Sequence, residues 1–358
     1  MANAPGRSTP DQLRRVNNRL WLNSPYLAPA LGKIKFTLLA AAVIYTPGLV
    51  ASFALGFGRT YLVSPAFILG AVGTGWVAGS IRTQARSIDQ LYDGLSTSFG
   101  IPRSMYLKLL RENFDRIFNW RGHVLFAAAI WLELLVAAYI SFFKHPLYVN
   151  GELQSSLRPW VFTVDWYSRE HIFFKFGVIL YFAAWIGCAL GVTLWLFIQD
   201  LRLLRALSEL PVPPVPESLR ARLRSIADFH VGVAVDWSIG AILFVIMFSK
   251  TPDYLSIAVI LMLILAGSAI LVYPQLLFAR IIRNSHERSC RMAIAIYARS
   301  RKATHRITDE QRLQILTGLA EISVRPRFWV YSANELVQWS LAQAVAIAAL
   351  AAQIYSNR

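Results

Sequence analysis

The sequence predicts an all-α, polytopic membrane protein of seven transmembrane helices, and three observations predict it. Seven separate stretches stay apolar for about 20 residues, the length a helix needs to cross roughly 30 Å of hydrocarbon. With 56% hydrophobic residues, 16% charged residues and a mean hydropathy of +0.45, the 358-residue chain is too apolar for a soluble domain. The basic residues segregate: 29 of the 36 Lys and Arg lie in segments 1–35, 80–122, 199–230 and 280–336, and the other 7 in the intervening segments and at Arg358. Basic residues flanking a span are retained on the cytoplasmic side, so the reading is N-in and C-out. Helices are required because lipid offers backbone N–H and C=O groups no partners.

Residues 1–33 form a basic cytoplasmic N-terminal arm, with Leu13, Val16, Leu20 and Trp21 on one face of a short interfacial helix. It lacks a short apolar core with a small-residue cleavage site, so the first span is expected to stay as an anchor. The transmembrane domain runs over 34–355, with spans at 34–57, 62–81, 123–143, 173–198, 231–249, 254–278 and 336–355. In the first, Pro47-Gly48 predicts a kink. In the second, Gly70, Gly73, Gly75 and Gly79 include a Gly-xxx-Gly pair that lets helix backbones approach closely.

A helical cytoplasmic layer is predicted from segments 82–122, 199–230 and 279–335. From Ser104 the first reads as a helix running into the third span, with Tyr106, Leu109, Leu110, Phe114, Ile117 and Phe118 on one side. The fourth helix continues past the membrane until the proline-rich run 211–216 stops it. A new helix starts near Pro216-Glu217, since proline suits a first turn and an acid favours the positive dipole end. The sixth helix passes Tyr273-Pro274 and stays free of Pro and Gly to Arg301, about five turns into the cytoplasm. Outside, residues 144–171 hold an Asn150-Gly151 turn and the aromatics Tyr148, Trp160, Phe162, Trp166 and Tyr167. That loop is expected to fold down as a cap.

Three polar residues fall inside predicted spans. Glu133 sits near mid-membrane, where a carboxylate is costly; it is functional, a protonated interhelical hydrogen-bond donor, or exposed to an aqueous vestibule. Asp236 lies one or two turns inside the cytoplasmic end of the fifth span, within reach of water. Gln343 belongs to the alanine-rich seventh span, where Ala346, Leu350 and Gln353 share a stripe at i, i+4 and i+7. Such a narrow helix suits close packing around a symmetry axis or a pore lining equally.

No histidine pair has metal-ligand spacing on a helix face, and no phosphate loop, nucleophile elbow or cysteine–histidine arrangement is present, so no metal, cofactor or enzymatic activity is expected. Cys188 lies in a span and Cys290 in a cytoplasmic segment, which implies no disulfide. The net charge of +16 is accounted for by the inside-positive distribution and attraction to anionic headgroups, and nucleic acid is not an expected partner.

The seven N-in, C-out spans, the long inner extensions of the fourth and sixth helices and a seventh helix close to the C-terminus resemble the insect gustatory and odorant receptor family. Gustatory receptors carry, in the last helix, Thr-Tyr, five apolar residues and Gln-Phe. The corresponding window here is Ala346-Ile347, five small or apolar residues, then Gln353-Ile354. The glutamine and the spacing match, whereas the Thr, Tyr and Phe positions hold Ala346, Ile347 and Ile354. The resemblance implies a tetrameric ligand-gated cation channel with Leu350, Gln353 and Ile354 facing a central pore. It also implies a small-molecule pocket near Tyr148 and Trp160.

The expectation is therefore a homo-oligomeric ion channel in the plasma (inner) membrane with the seventh helix at the pore. The alternatives are a non-conducting sensor or scaffold whose basic inner helices bind a partner, and a proton-coupled transporter using Glu133. Many transporters show internal repeats, and none is visible here.

Overall fold

The computed structural model describes residues 32–139, 148–149, 152–153, 172–214, 216–247, 254–302 and 328–356, together with positions 308, 310, 313 and 317. These residues are almost entirely helical. Three helical stretches, Lys33–Ala54, Phe176–Ser208 and Ile264–Arg299, are long and apolar enough to cross a membrane. Apart from Ser64, the described residues of the other four predicted spans are helical as well.

Helix α1, Lys33–Ala54, contains Pro47 and is apolar all round, yet buries only one side. Phe36, Ala41, Ile44, Gly48 and Ser52 face the protein, whereas Leu38, Val43, Val50 and Phe53 are exposed. That pattern belongs to a helix with lipid behind it. It ends where Gly56 adopts φ +85°, a left-handed conformation that glycine enters without Cβ strain. Gly56 N–H donates to Phe53 O and Phe57 N–H to Ser52 O, the paired bonds of a Schellman cap.

The second span departs from expectation. Residues 58–61, read as a linker, belong to the short helix α2, Gly58–Val63; Ser64 interrupts, and α3 then runs from Pro65 to Asp93. Proline at the first position of α3 explains the boundary, since its missing N–H is an orphan there anyway. The Gly-xxx-Gly pair of α3 packs on α1. A Cβ at Gly75 would lie 2.6 Å from the Thr37 carbonyl oxygen, and one at Gly79 2.6 Å from Thr37 Oγ1. Tyr61, fully buried, stacks on Phe67 with centroids 4.3 Å apart and donates to the Tyr45 carbonyl at 3.2 Å.

Helix α4, Arg103–Ile117, buries Tyr106, Leu107, Leu110, Phe114 and Ile117, close to the predicted face. It does not run into the third span. Phe118 and Asn119 break the chain, and Asn119 Oδ1 accepts the Arg121 N–H at 3.1 Å, which starts α5, Trp120–Tyr139. Helix α5 packs on α6, Ile172–Ser208. Between them, Tyr148–Val149 (β1) and Glu152–Leu153 (β2) pair antiparallel around the predicted Asn150-Gly151 turn, whose own two residues lie outside the described ones.

Helix α6 spans 37 residues, about 55 Å at 1.5 Å per residue, and α8, Tyr254–Lys302, spans 49, about 73 Å. Both exceed the hydrocarbon thickness, so each carries a long extramembrane part, as the sequence implies. Helix α7, Pro216–Met247, starts at the proline-rich run with Glu217 in its first turn. The linker carbonyls are received by α8: Ser285 Oγ donates to Pro213 O and Arg288 to Val212 O. Residues 328–331 are clamped to α8 where Gln275 Nε2 donates to Phe328 O and Tyr331 Oη to Leu271 O, which leads into α9, Ala333–Ser356.

The largest core lies in the predicted inner layer, where Leu110, Phe114, Leu203, Leu207, Leu223, Ile226, Phe278 and Ile281 from α4, α6, α7 and α8 are fully buried. Beyond it the end of α8 is uncovered, with Met292, Ile294, Ile296 and Tyr297 exposed.

Candidate functional site

A carboxylate and an imidazole meet in this core. Asp200 lies on α6 in the stripe of Leu196, Leu203, Leu204 and Leu207, so helical periodicity turns it inward. His230 lies on α7 in the stripe of Leu223, Ile226, Ala227 and Ala234. Asp200 is 3% exposed and His230 fully buried. His230 Nε2 is 2.8 Å from Asp200 Oδ2, and His230 Nδ1 is 2.8 Å from the Ile226 carbonyl oxygen.

Two tyrosines complete the cluster. Tyr92, in the last turn of α3, donates its hydroxyl to Asp200 Oδ1 at 2.6 Å, and Tyr106 of α4 donates to the Tyr92 carbonyl at 2.6 Å. Burial holds the Tyr92 phenol well above its ordinary range, and the charge of Asp200 and the bond to it add to the effect. Burial does the same for Tyr106, reinforced by Asp93. Both therefore remain donors at neutral pH, and one carboxylate ties α3, α6 and α7 together, with α4 joined through Tyr92. A cavity of about 30 Å³ adjoins the pair, bordered by Gln84, Phe118, Thr193, Phe197 and Phe229. Space of that size admits water where polar partners exist.

The residues singled out from sequence are dispersed. Asp236, expected to lie within reach of water, is partly exposed and pairs with Lys33, whose Nζ is 2.7 Å from Asp236 Oδ1 and 4.1 Å from the centroid of the Trp76 ring. This ties α1, α3 and α7 together and makes Asp236 a structural partner. Gln343 is buried inside the protomer: its Nε2 donates to Ser238 Oγ at 2.8 Å, and Ser238 donates to the Ala234 carbonyl. Gly267 of α8 leaves room for that amide, since a Cβ there would lie 2.7 Å from it.

Glu133 is exposed on α5, flanked by exposed Leu132 and Val136. The α5–α6 contact runs through Trp131 and Ala127 against Gly187 and Gly191, and a residue two places from Trp131 falls on the far side of the helix. Ala346, Leu350, Gln353 and Ile354 belong to α9, but their side chains lie outside the described residues. The side chain of Tyr148, and all of Trp160, Trp166 and Tyr167, lie outside them too. Among the described residues no three His, Cys, Asp or Glu side chains converge as metal ligands would.

Neither Asp200 nor His230 carries a motif that marks it in the sequence. The available signal was a charged or ionisable residue repeating within an apolar helical stripe, once on each side of the proline-rich stop. No protein-family profile, curated protein or solved structure matches this chain.

Proposed function

We propose that the chain is a seven-span, N-in and C-out protein of the plasma (inner) membrane that assembles as a homo-oligomer and conducts ions along a path bordered by α9. The observation that carries this reading is the one-sided attachment of α9. Gln343, with Leu336 and Trp339, holds it to its own protomer, while Val337, Leu341, Ala344, Val345 and Ala348 are exposed on the other side. A face of small and aliphatic residues lets equivalent helices approach one another about a rotation axis. A tetramer gated by a small molecule follows if the resemblance to the insect receptors extends to assembly.

The test is ion flux through protein reconstituted in liposomes. Leu350→Trp is expected to reduce flux and Gln353→Ala to change its magnitude or ion preference. Unchanged flux in both variants removes α9 from the path.

One observation favours a second reading, a non-conducting sensor or scaffold. Met292, Ile294, Ile296 and Tyr297 are exposed beyond the packed layer, in a segment the sequence reads as cytoplasmic, and Arg288, Arg291 and Arg299 are exposed beside them. Liposomes that stay ion-tight at every protein loading would favour it. The transporter reading gains no support from Glu133, which faces away from α6.

A further inference from the structure

His230 faces an oxygen with each of its ring nitrogens. The Ile226 carbonyl has no proton to give, so Nδ1 carries a hydrogen and donates it across 2.8 Å. Nε2 then faces Asp200 Oδ2, also at 2.8 Å. Were the imidazole neutral and the carboxylate ionised, two lone pairs would meet there, with both side chains at most 5% exposed and little water to separate them. The carboxylate has no better arrangement, because Oδ1 already accepts from Tyr92 at 2.6 Å. One extra proton removes the conflict. Placed on Nε2 it gives an imidazolium against a carboxylate; placed on Oδ2 it gives a carboxylic acid donating to a neutral ring. These are one species, with the proton at either end of a single hydrogen bond.

We infer that Asp200 and His230 form a buried proton-binding site, which takes one proton from water and holds it between His230 Nε2 and Asp200 Oδ2. Uptake is balanced: the neutral imidazole with its facing carboxylate and a hydronium ion become the proton-sharing pair and a water molecule. Among the described residues, the neighbours leave the proton no competing partner. From α3 comes the Tyr92 hydroxyl and from α4 the Tyr106 hydroxyl, which is committed to the Tyr92 carbonyl. From α8 comes the Phe278 ring, centred 6.0 Å from the imidazole. Of the further residues lining the cavity only Gln84 and Thr193 are polar, and neither is charged. The cavity admits water to the pair, which gives the proton a route. Its presence fastens α6 to α7 and, through Tyr92 and Tyr106, to α3 and α4. The inference does not depend on whether the protein conducts ions.

Two measurements on the full-length protein in detergent or liposomes test it. The first is nitrogen NMR of histidine labelled in the ring, with His230 assigned by the resonances lost in His230→Gln. At neutral pH, Nδ1 is expected to carry a hydrogen and Nε2 to carry or share one. The second compares the parent with Asp200→Asn, whose amide donates its own hydrogen to Nε2 and still accepts from Tyr92. Bound proton stabilises the fold at low pH and is lost as pH rises. The melting temperature of the parent is therefore expected to fall between about pH 7 and 9, below the range in which the phenols ionise, more steeply than that of Asp200→Asn. Asp200→Ala, which strands the imidazole and the phenol, melts about 10 °C below the parent. A bare Nδ1, or equal alkaline slopes for the parent and Asp200→Asn, overturns the proposal; the NMR arm decides on the parent alone if the variant does not fold.

Discussion

Lys33 Nζ lies 2.7 Å from Asp236 Oδ1 across 203 residues of sequence, with both side chains partly screened from solvent. The ion pair is the only hydrogen bond with which the start of α1 holds α7 among the contacts described, and Trp76 covers its ammonium. Removing one member leaves the other charged at the edge of an apolar region.

Lys33→Met and Asp236→Leu are each expected to destabilise the protein by about 1–3 kcal/mol, less than a fully buried pair because solvent reaches this one. The double variant restores part of the loss. Thermal melting of all four proteins in one detergent checks it, and strictly additive losses would show that the pair is not coupled.

The contact between α1 and α3 should be intolerant of added volume. Gly75→Val drives a side chain into the Thr37 backbone carbonyl and is expected to abolish the folded, monodisperse species. Gly232→Ala is the control, because a Cβ there meets nothing within 4 Å. That change should hold stability or raise it by about 0.5–1 kcal/mol, through the lower flexibility of alanine in the unfolded chain. Size-exclusion profiles of the two variants separate these outcomes.

Glu133 is exposed and has no hydrogen bond or ion pair among the described residues, so Glu133→Gln removes none there. Its melting curve should overlay that of the parent when the protein is dispersed as monomers in detergent. A loss of stability that appears only in the assembled protein would place Glu133 against a neighbouring subunit.

Alkali should unfold the inner layer in a tyrosine-dependent way. The Tyr92 and Tyr106 phenols are raised above the ordinary value of 10.0, so the unfolded chain loses those protons first. Their contribution to stability is whole below about pH 10 and declines as pH rises past it. Stability measured against pH in Tyr106→Phe should start lower, through the lost bond to the Tyr92 carbonyl, and fall less steeply in that alkaline range. A slope equal to the parent's would contradict the assignment.

Much of the architecture was legible in the residues. The proline-rich run marks the boundary between α6 and α7, the absence of Pro and Gly past Pro274 lets α8 run on, and the spacing of Tyr106, Leu110, Phe114 and Ile117 reveals a buried face. Local signals fixed these because each depends on neighbours within one or two turns. The break at Phe118-Asn119 was hidden by apolar residues continuing on both sides, and the start of α3 by the apolar run around Ser64-Pro65. The site was harder to see. Asp200 and His230 belong to different helices, and their meeting depends on the rotation of α6 against α7, which periodicity alone does not supply. The partner of Asp236 was hidden for a related reason: it sits at the start of the first helix, in a segment that stands out only for its charge.

The uninterrupted length of α8 has a mechanical consequence. A rod of about 73 Å, gripped at Gln275, Ser285 and Arg288, pivots about that grip as a lever. Leaning by 5° would carry its Tyr254 end sideways by roughly 4 Å and the Met292–Tyr297 region the opposite way by about 1–2 Å. Whatever tilts the apolar half is thereby reported, reversed in direction, to anything touching the other end.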